Sequence, residues 1–270
     1  MIIIKERHFW SGLNLKEIWE YRDLLVTLTW RDVRVKYKNT LLGVSWVVFQ
    51  PLITLFIFNA FFGKIAKIES GDLRYMTFVY AGLIFWNFFS NSLSNISNIL
   101  VENAHIVKKA YFPRIILPLA ASFTALIDFL VNVIIFMLYL LLFDRGIGTF
   151  SLLMLSLGGV VTLLSGLGIG LIFTSLNVRF RDIRYVLPFF IQLMLFLTPI
   201  IYSSKDMSLI NRQILLFNPL TGLIENIRLS LVGTTINYYW LICSFVSTIV
   251  FLFLGIYVFN KTEKTLSDVL

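Results

Sequence analysis

Hydrophobic positions in this chain run in long unbroken blocks, not at helical or strand intervals. Asp, Glu, Lys and Arg are absent from 39–63, 75–101, 146–178, 185–204 and 229–260, and 115–143 holds one, Asp128. A membrane-crossing helix takes about 20 mostly apolar residues, and all six blocks reach that length. In lipid, backbone N–H and C=O groups must bond within the segment, so the blocks read as helices. The expected fold class is an all-α integral membrane protein with six transmembrane helices.

The links between blocks carry further pattern. Residues 15–38 read as an amphipathic helix, with Lys16, Glu20, Asp23, Thr27, Arg31, Arg34 and Lys38 on a polar face and Ile18, Tyr21, Leu25, Leu28 and Val35 elsewhere on the wheel. Trp19 and Trp30 suit the headgroup level, so the helix is expected to lie in the membrane interface. The link 102–114 mixes apolar and charged residues. It is expected to form a short helix ended by Pro113 and to serve as a docking element. Segment 205–228 has an apolar core, 213–224, too short to span, broken by Asn218-Pro219 and Gly222. It reads as a re-entrant pair of short outer helices, whose backbone must be buried in protein or line a cavity.

Within the blocks, Pro51 is expected to kink span 1 (43–62), and Pro188 and Pro199 sit near the ends of span 5 (185–202). Span 2 (75–97) carries a polar stripe of Asn87, Asn91, Asn95 and Asn98 with Ser90 and Ser94. It serves either interhelical hydrogen bonding or a pore lining. Gly158, Thr162, Gly166, Gly170 and Thr174 form a ridge of small residues on span 4 for close packing, by default within one protomer. Asp128 is the lone intramembrane acid, with Thr124 and Asn132 as expected partners; a structural or polar-channel role fits better than proton coupling, which uses several ionisable groups.

Charge supplies the orientation. The net charge is +8, but it follows topology and anionic lipid rather than nucleic acid. With a cytoplasmic N-terminus, inside segments hold sixteen Lys and Arg against seven outside. Both termini are expected in the cytoplasm and the chain in the cytoplasmic (inner) membrane, with no cleavable signal peptide. Two regions follow: a cytoplasmic segment 1–42 with the interface helix, and a six-helix transmembrane domain 43–270 containing the link 102–114 and the outer segment 205–228.

Catalytic chemistry is missing. There is no G-x-x-x-x-G-K-[ST], no G-x-S-x-G and no H-E-x-x-H. With two histidines and one cysteine, Cys243, no metal site or disulfide framework is expected. Aromatics make up 16% of the chain. Trp46, Phe49, Phe56, Phe85, Trp86, Phe89, Phe190, Phe196 and Tyr202 are read as core or interface-belt residues. A sharper reading has sugar rings stacking on a subset that lines a conduit; the candidates are Trp46, Phe49, Phe56, Trp86, Phe89, Phe196 and Tyr202.

Several stretches together resemble one family. They are the run 28–46, with Trp30-Arg31-Asp32-Val33 and Leu41-Leu42-Gly43, then Gln50-Pro51-Leu52; Asn103-Ala104-His105-Ile106-Val107-Lys108-Lys109 before Phe112-Pro113-Arg114; Arg179-Phe180-Arg181-Asp182-Ile183; and Asn218-Pro219-Leu220-Thr221-Gly222-Leu223. Spread in order from about residue 20 onward, they resemble ABC-type polysaccharide and polyol-phosphate export permeases. That resemblance implies the type-2 ABC exporter fold: a homodimer paired with two copies of a separate ABC ATPase, which holds ATP and Mg. It implies an interface helix at the cytoplasmic mouth (Trp30, Arg31, Arg34, Lys38), coupling through Glu102, His105, Val107, Lys108 and Lys109, and an outer gate at Asn218, Pro219, Leu220 and Gly222. The implied cargo is a lipid-linked glycan (O-antigen first, capsule or teichoic acid next) carried in an aromatic-rich channel among membrane lipids. It implies no enzyme activity, no cofactor in this chain and no nucleic acid. The competing reading is an ion- or proton-coupled secondary transporter, disfavoured by the single acid and the lack of a repeat. A membrane enzyme acting on polyprenyl-linked sugars would need a catalytic cluster that the chain lacks.

Overall fold

The computed structural model describes residues 15–38, 43–65, 72–109, 111–143, 148–180, 182–204 and 207–263. The stretches 1–14 and 39–42 of the N-terminal region, Ala110 of the docking link, Arg181, 205–206 of the outer segment and 264–270 lie outside these. The described residues form helices joined by short connections, with no strand among them.

A short helix, α1 (Leu15–Glu20), turns at Tyr21 into α2 (Arg22–Lys38). The helix α3 (Trp46–Phe58) contains Pro51 and runs into a π-helical turn, Asn59–Ile65. Next come α4 (Tyr75–Glu102), the short α5 (Ala104–Lys109), α6 (Ile116–Phe143) and α7 (Thr149–Arg179). The chain continues through α8 (Ile183–Leu197), α9 (Leu209–Leu215), α10 (Thr221–Val232) and α11 (Tyr238–Glu263). Among the described residues, four helical stretches are long and apolar enough to cross a membrane: Trp46–Gly63, Ile116–Phe143, Thr149–Arg179 and Tyr238–Glu263.

Two expected boundaries need correction. Span 5 was expected over 185–202, but α8 stops at Leu197 after 15 residues, about 22 Å. Pro199 is the cause: the residue before a proline is pushed out of the helical region, and Thr198 is extended at φ −102, ψ 130. The last apolar block, 229–260, is not one helix. Its first four residues complete α10, which ends at Gly233 in the left-handed region, φ 81. Glycine adopts that backbone without a Cβ penalty. The final span begins at Tyr238.

The helix α4 is the hub, buried along most of its length between α6 and α7. Its 28 residues span the same distance as α6, but its second half carries the polar stripe, so it is less apolar than the other long helices. The small-residue ridge on α7 seats this hub. A Cβ on Gly158 would lie 2.7 Å from the Phe85 ring, one on Gly166 would lie 3.1 Å from Ser92, and one on Gly170 would lie 2.7 Å from Ile96. The Thr174 hydroxyl donates to the Ile96 carbonyl at 2.6 Å. On another side α7 meets α11 backbone to backbone, where a Cβ on Gly168 would lie 2.7 Å from Leu252 main-chain atoms. The ridge therefore packs within the protomer.

Two apolar clusters divide the bundle. One, around Tyr80, Phe85, Phe129, Phe136 and Ile224, ties α4, α6 and α7 to α10. The other, around Leu28, Leu100, Val107, Ile116 and Phe259, ties α2 and α5 to the opposite ends of α4, α6 and α11.

Candidate functional site

A cavity of about 480 Å³ lies where α2 crosses α4 and α6. Helical periodicity builds its walls. Arg31, Asp32 and Lys36 face it from one stretch of α2, Asn95 and Glu102 from the end of α4, and Thr124 from α6. The Arg31 guanidinium is held on two sides. Its Nη2 lies 2.7 Å from Asp32 Oδ1, and Nη2 also donates to Asn103 Oδ1 at 2.9 Å. On the polar face that Arg31 shares with Arg34 and Lys38, Arg31 turns inward to the α4–α5 joint. Trp30 and Arg34 remain exposed, with the Arg34 guanidinium 6.0 Å from the Trp30 ring centroid, and Lys38 is exposed too.

One turn beyond Thr124 lies Asp128, 7% exposed. Its carboxylate meets Lys36 Nζ at 2.5 Å and accepts from the Tyr37 hydroxyl at 2.5 Å. A basic group from α2 thus meets the acid that the sequence places alone in its block. The expected partners do not serve the carboxylate. The Thr124 hydroxyl donates to the Ala120 carbonyl, and the Asn132 amide donates to the Asp128 main-chain carbonyl. Burial, and then the hydrogen bond to Asp128, push the Tyr37 phenol on α2 up, which keeps it a donor. Lys36 lies 92 positions from Asp128, so periodicity gave no signal for this pair.

The docking link forms α5 but stops at Lys109, short of Pro113. His105, Lys108 and Lys109 are exposed, as is Glu102 at the end of α4. Val107 is 7% exposed and packs into the second apolar cluster, so it anchors α5 and is not part of its free face.

The candidate outer gate is a packed corner between α9 and α10. The Asn218 amide donates to the Thr198 hydroxyl at 2.8 Å, while Asn218 Oδ1 accepts from the Leu220 N–H at 3.0 Å. Pro219 lies buried in the turn, Leu220 is fully buried, and Gly222 lies against the Trp240 carbonyl, leaving no space for a Cβ.

Sequence reading missed the centre of this corner, Arg228. Counted as an outside loop charge, it is 3% exposed. It donates from Nε to the Phe78 carbonyl at 3.1 Å, from Nη1 to Pro199 at 2.7 Å and from Nη2 to Ile200 at 2.8 Å. The guanidinium stacks 3.4 Å from the Phe78 ring centroid, with Glu225 3.5 Å away. The Pro199 and Ile200 carbonyls, in the non-helical stretch that follows α8, are thereby satisfied. A lone arginine in a short apolar helix after an Asn-Pro turn was the available signal.

The candidate channel aromatics separate into two groups. Trp46, Phe49, Phe56 and Phe196 are exposed, at 46–68%. Tyr202 is half-buried and donates to the Phe196 carbonyl at 2.8 Å. Trp86 and Phe89 are 5% and 4% exposed, packed against each other in the core. These two do not line an open surface of this chain, a correction that follows from α4 being the hub. Among the described residues, no three His, Cys, Asp or Glu side chains gather for a metal ion.

Known proteins resemble the chain along most of its length. The O-antigen export system permease protein RfbA of Klebsiella pneumoniae is 28% identical over 248 residues, covering 92% of this chain and 95% of that protein. The Myxococcus xanthus protein of the same name is 22% identical over 214 residues, 78% and 81% of the two chains. The polysialic acid transport protein KpsM of Escherichia coli is 25% identical over 246 residues, 87% and 92%. The model of the ABC-2 type transporter membrane family matches residues 23–232, a span that runs from α2 through α10, and the chain belongs to that family of transport proteins.

Proposed function

We propose that this chain is the membrane-spanning subunit of an ATP-driven exporter that carries a lipid-linked polysaccharide across the cytoplasmic membrane, O-antigen first, with capsule or teichoic acid as the other cargoes. The observation that carries the reading is near full-length similarity to permeases named for O-antigen export and polysialic acid transport. The chemistry also disfavours ion coupling: Asp128, in the middle of α6, is paired with Lys36 and is not a free relay.

In this reading two copies pair with two ABC ATPase subunits, which hold ATP and Mg. Both termini face the cytoplasm. Region 1–42 lies along the inner surface and 43–270 forms the transmembrane domain. The six spans are α3, α4, α6, α7, α8 and α11, with α9 and α10 dipping in from the outer side. Exposed His105, Lys108 and Lys109, with Glu102 beside them, dock on the ATPase, and Val107 holds the link to the bundle. Trp46, Phe49, Phe56 and Phe196, with Tyr202, are the aromatics left to face cargo. Trp30, Arg31, Arg34 and Lys38 border the cytoplasmic mouth, and Asn218, Pro219, Leu220 and Gly222 form the gate corner.

Deletion of the gene in its host, followed by mass spectrometry of lipid-linked glycans, tests the reading. The expected result is a cytoplasmic lipid-linked glycan that accumulates and a matching polysaccharide lost from the surface. A deletion strain with normal surface polysaccharide and no accumulated precursor overturns it.

A further inference from the structure

The side-chain amides of three asparagines on α4 have no hydrogen-bond partner among the described residues. Asn87, Asn91 and Asn95 recur at every fourth position and all are half-buried. On a helix that spacing stacks them on one face, about 6 Å apart. Two other members of the polar stripe are occupied: Asn98 accepts from the Asn177 amide at 3.0 Å, and the Ser90 hydroxyl donates to the Asn87 main-chain carbonyl at 3.2 Å. The ladder lies away from the packed side of α4, where Phe85, Ser92 and Ile96 meet α7. Its lowest rung, Asn95, opens into the cavity that Arg31, Lys36 and Glu102 also face.

Each primary amide brings two donors and a carbonyl with two lone pairs. Left against hydrocarbon, such groups are strongly disfavoured. Three on one face of a mostly apolar helix therefore mark a surface that meets something polar. We propose that Asn87, Asn91 and Asn95 form a hydroxyl-binding track for the exported glycan, with the cavity at its foot. The proposal rests on the polysaccharide-export reading above.

The chemistry of the rungs favours this occupant. A sugar hydroxyl is both donor and acceptor, and so is an amide. The rungs carry no charge that would trap a phosphate or select an ion. Equivalent groups repeated along a line let a polymer exchange one set of hydrogen bonds for the next as it advances, with no rung holding it much more tightly than another. A second copy of this chain fits the site poorly. The cavity at the foot, about 480 Å³, admits roughly one turn of a helix about 10 Å wide, and α2 and α6 of the same chain already wall it.

The test uses the full chain co-expressed with its ATPase in cells lacking the chromosomal copy, and reads surface polysaccharide with antibody against intact cells. Replacing all three rungs, N87L/N91L/N95L, is expected to lower the export rate about tenfold or more. Single Leu variants should fall between, and the triple Gln variant should recover part of the loss. Ser156→Leu, on the exposed side of α7, should export normally. Wild-type export by the triple Leu variant overturns the track. A second measurement does not depend on the Leu variants folding. Single cysteines at 87, 91 and 95 in a Cys243→Ser background should react with a hydrophilic maleimide in isolated membranes. Rungs that stay unlabelled, or a cysteine at 91 that joins two copies in a disulfide, overturn it. If the wild-type chain restores no surface polysaccharide, the export reading falls and the track falls with it; if wild type exports and the Leu variant matches it, the track alone falls.

Discussion

The Lys36 ammonium sits 2.5 Å from an Asp128 carboxylate oxygen, joining α2 to the middle of α6. Asp128 is 10% exposed at its side chain and Lys36 39%, so the carboxylate depends on the pair more than the ammonium does. Lys36→Met leaves a buried anion with one phenol for support. It is expected to cost about 1–3 kcal/mol, below the range for fully buried pairs because Lys36 is part-solvated. Asp128→Asn should cost less, and the double variant should recover part of the loss. Thermal unfolding of the purified protein in detergent, analysed as a double-mutant cycle, checks this; additive effects would contradict the coupling.

Arg228 should be harder to replace. Arg228→Met strands the buried Pro199 and Ile200 carbonyls, each worth about 1–3 kcal/mol when unsatisfied, while the Phe78 carbonyl keeps its partner within α4. It is expected to reduce the folded protein recovered from membranes several-fold. Arg228→Lys keeps the charge but not the planar fork that reaches the Phe78, Pro199 and Ile200 carbonyls, so its rescue should be partial. Size-exclusion profiles of the solubilised variants provide the measurement.

Gly168→Ala should destabilise the bundle by about 2 kcal/mol or more, because the new methyl meets the Leu252 backbone, which has no rotamer with which to yield. Gly148→Ala, with its nearest neighbour 3.9 Å away, should be close to neutral. A comparison of melting temperatures checks both.

On α5, substitutions should separate by burial. Replacing exposed His105, Lys108 and Lys109 by Gly is expected to uncouple ATP hydrolysis in the assembled complex from export while leaving the amount of permease in the membrane unchanged. Val107→Ala should lower thermal stability instead, by about 1 kcal/mol. Equal export by the triple Gly variant would remove α5 from the coupling path.

A cysteine pair between 216–220 and the outer end of α3, in a Cys243→Ser background, should block export when oxidised and release it on reduction. Equal export in both states would make this corner a fixed cap.

Long-range pairing marks the limit of what the sequence discloses. The four apolar spans, the α7 ridge and the two short helices around Asn218-Pro219 were legible because each follows from local composition. The early stop of α8 was legible too, since Pro199 bars helix at Thr198, but the apolar run through 204 outweighed it in the reading. So was the stop of α10 at Gly233. Lys36 with Asp128 and Arg228 with Phe78 were not legible: their partners lie 92 and 150 positions away, and only the tertiary fold decides them. Trp86 and Phe89 looked like channel residues because aromatic content does not reveal which helix will be the hub.

The acceptor cage around Arg228 also has a bearing on biogenesis. Phe78, Pro199 and Ile200 all precede Arg228 in the chain, and a ribosome delivers them in that order. When α10 emerges, the carbonyls that will receive its guanidinium have already been made. A circular permutation that reversed the order would present Arg228 to the bilayer with only Glu225 of its own helix to hold it. The position of this one residue therefore makes the direction of synthesis part of how the outer corner is assembled.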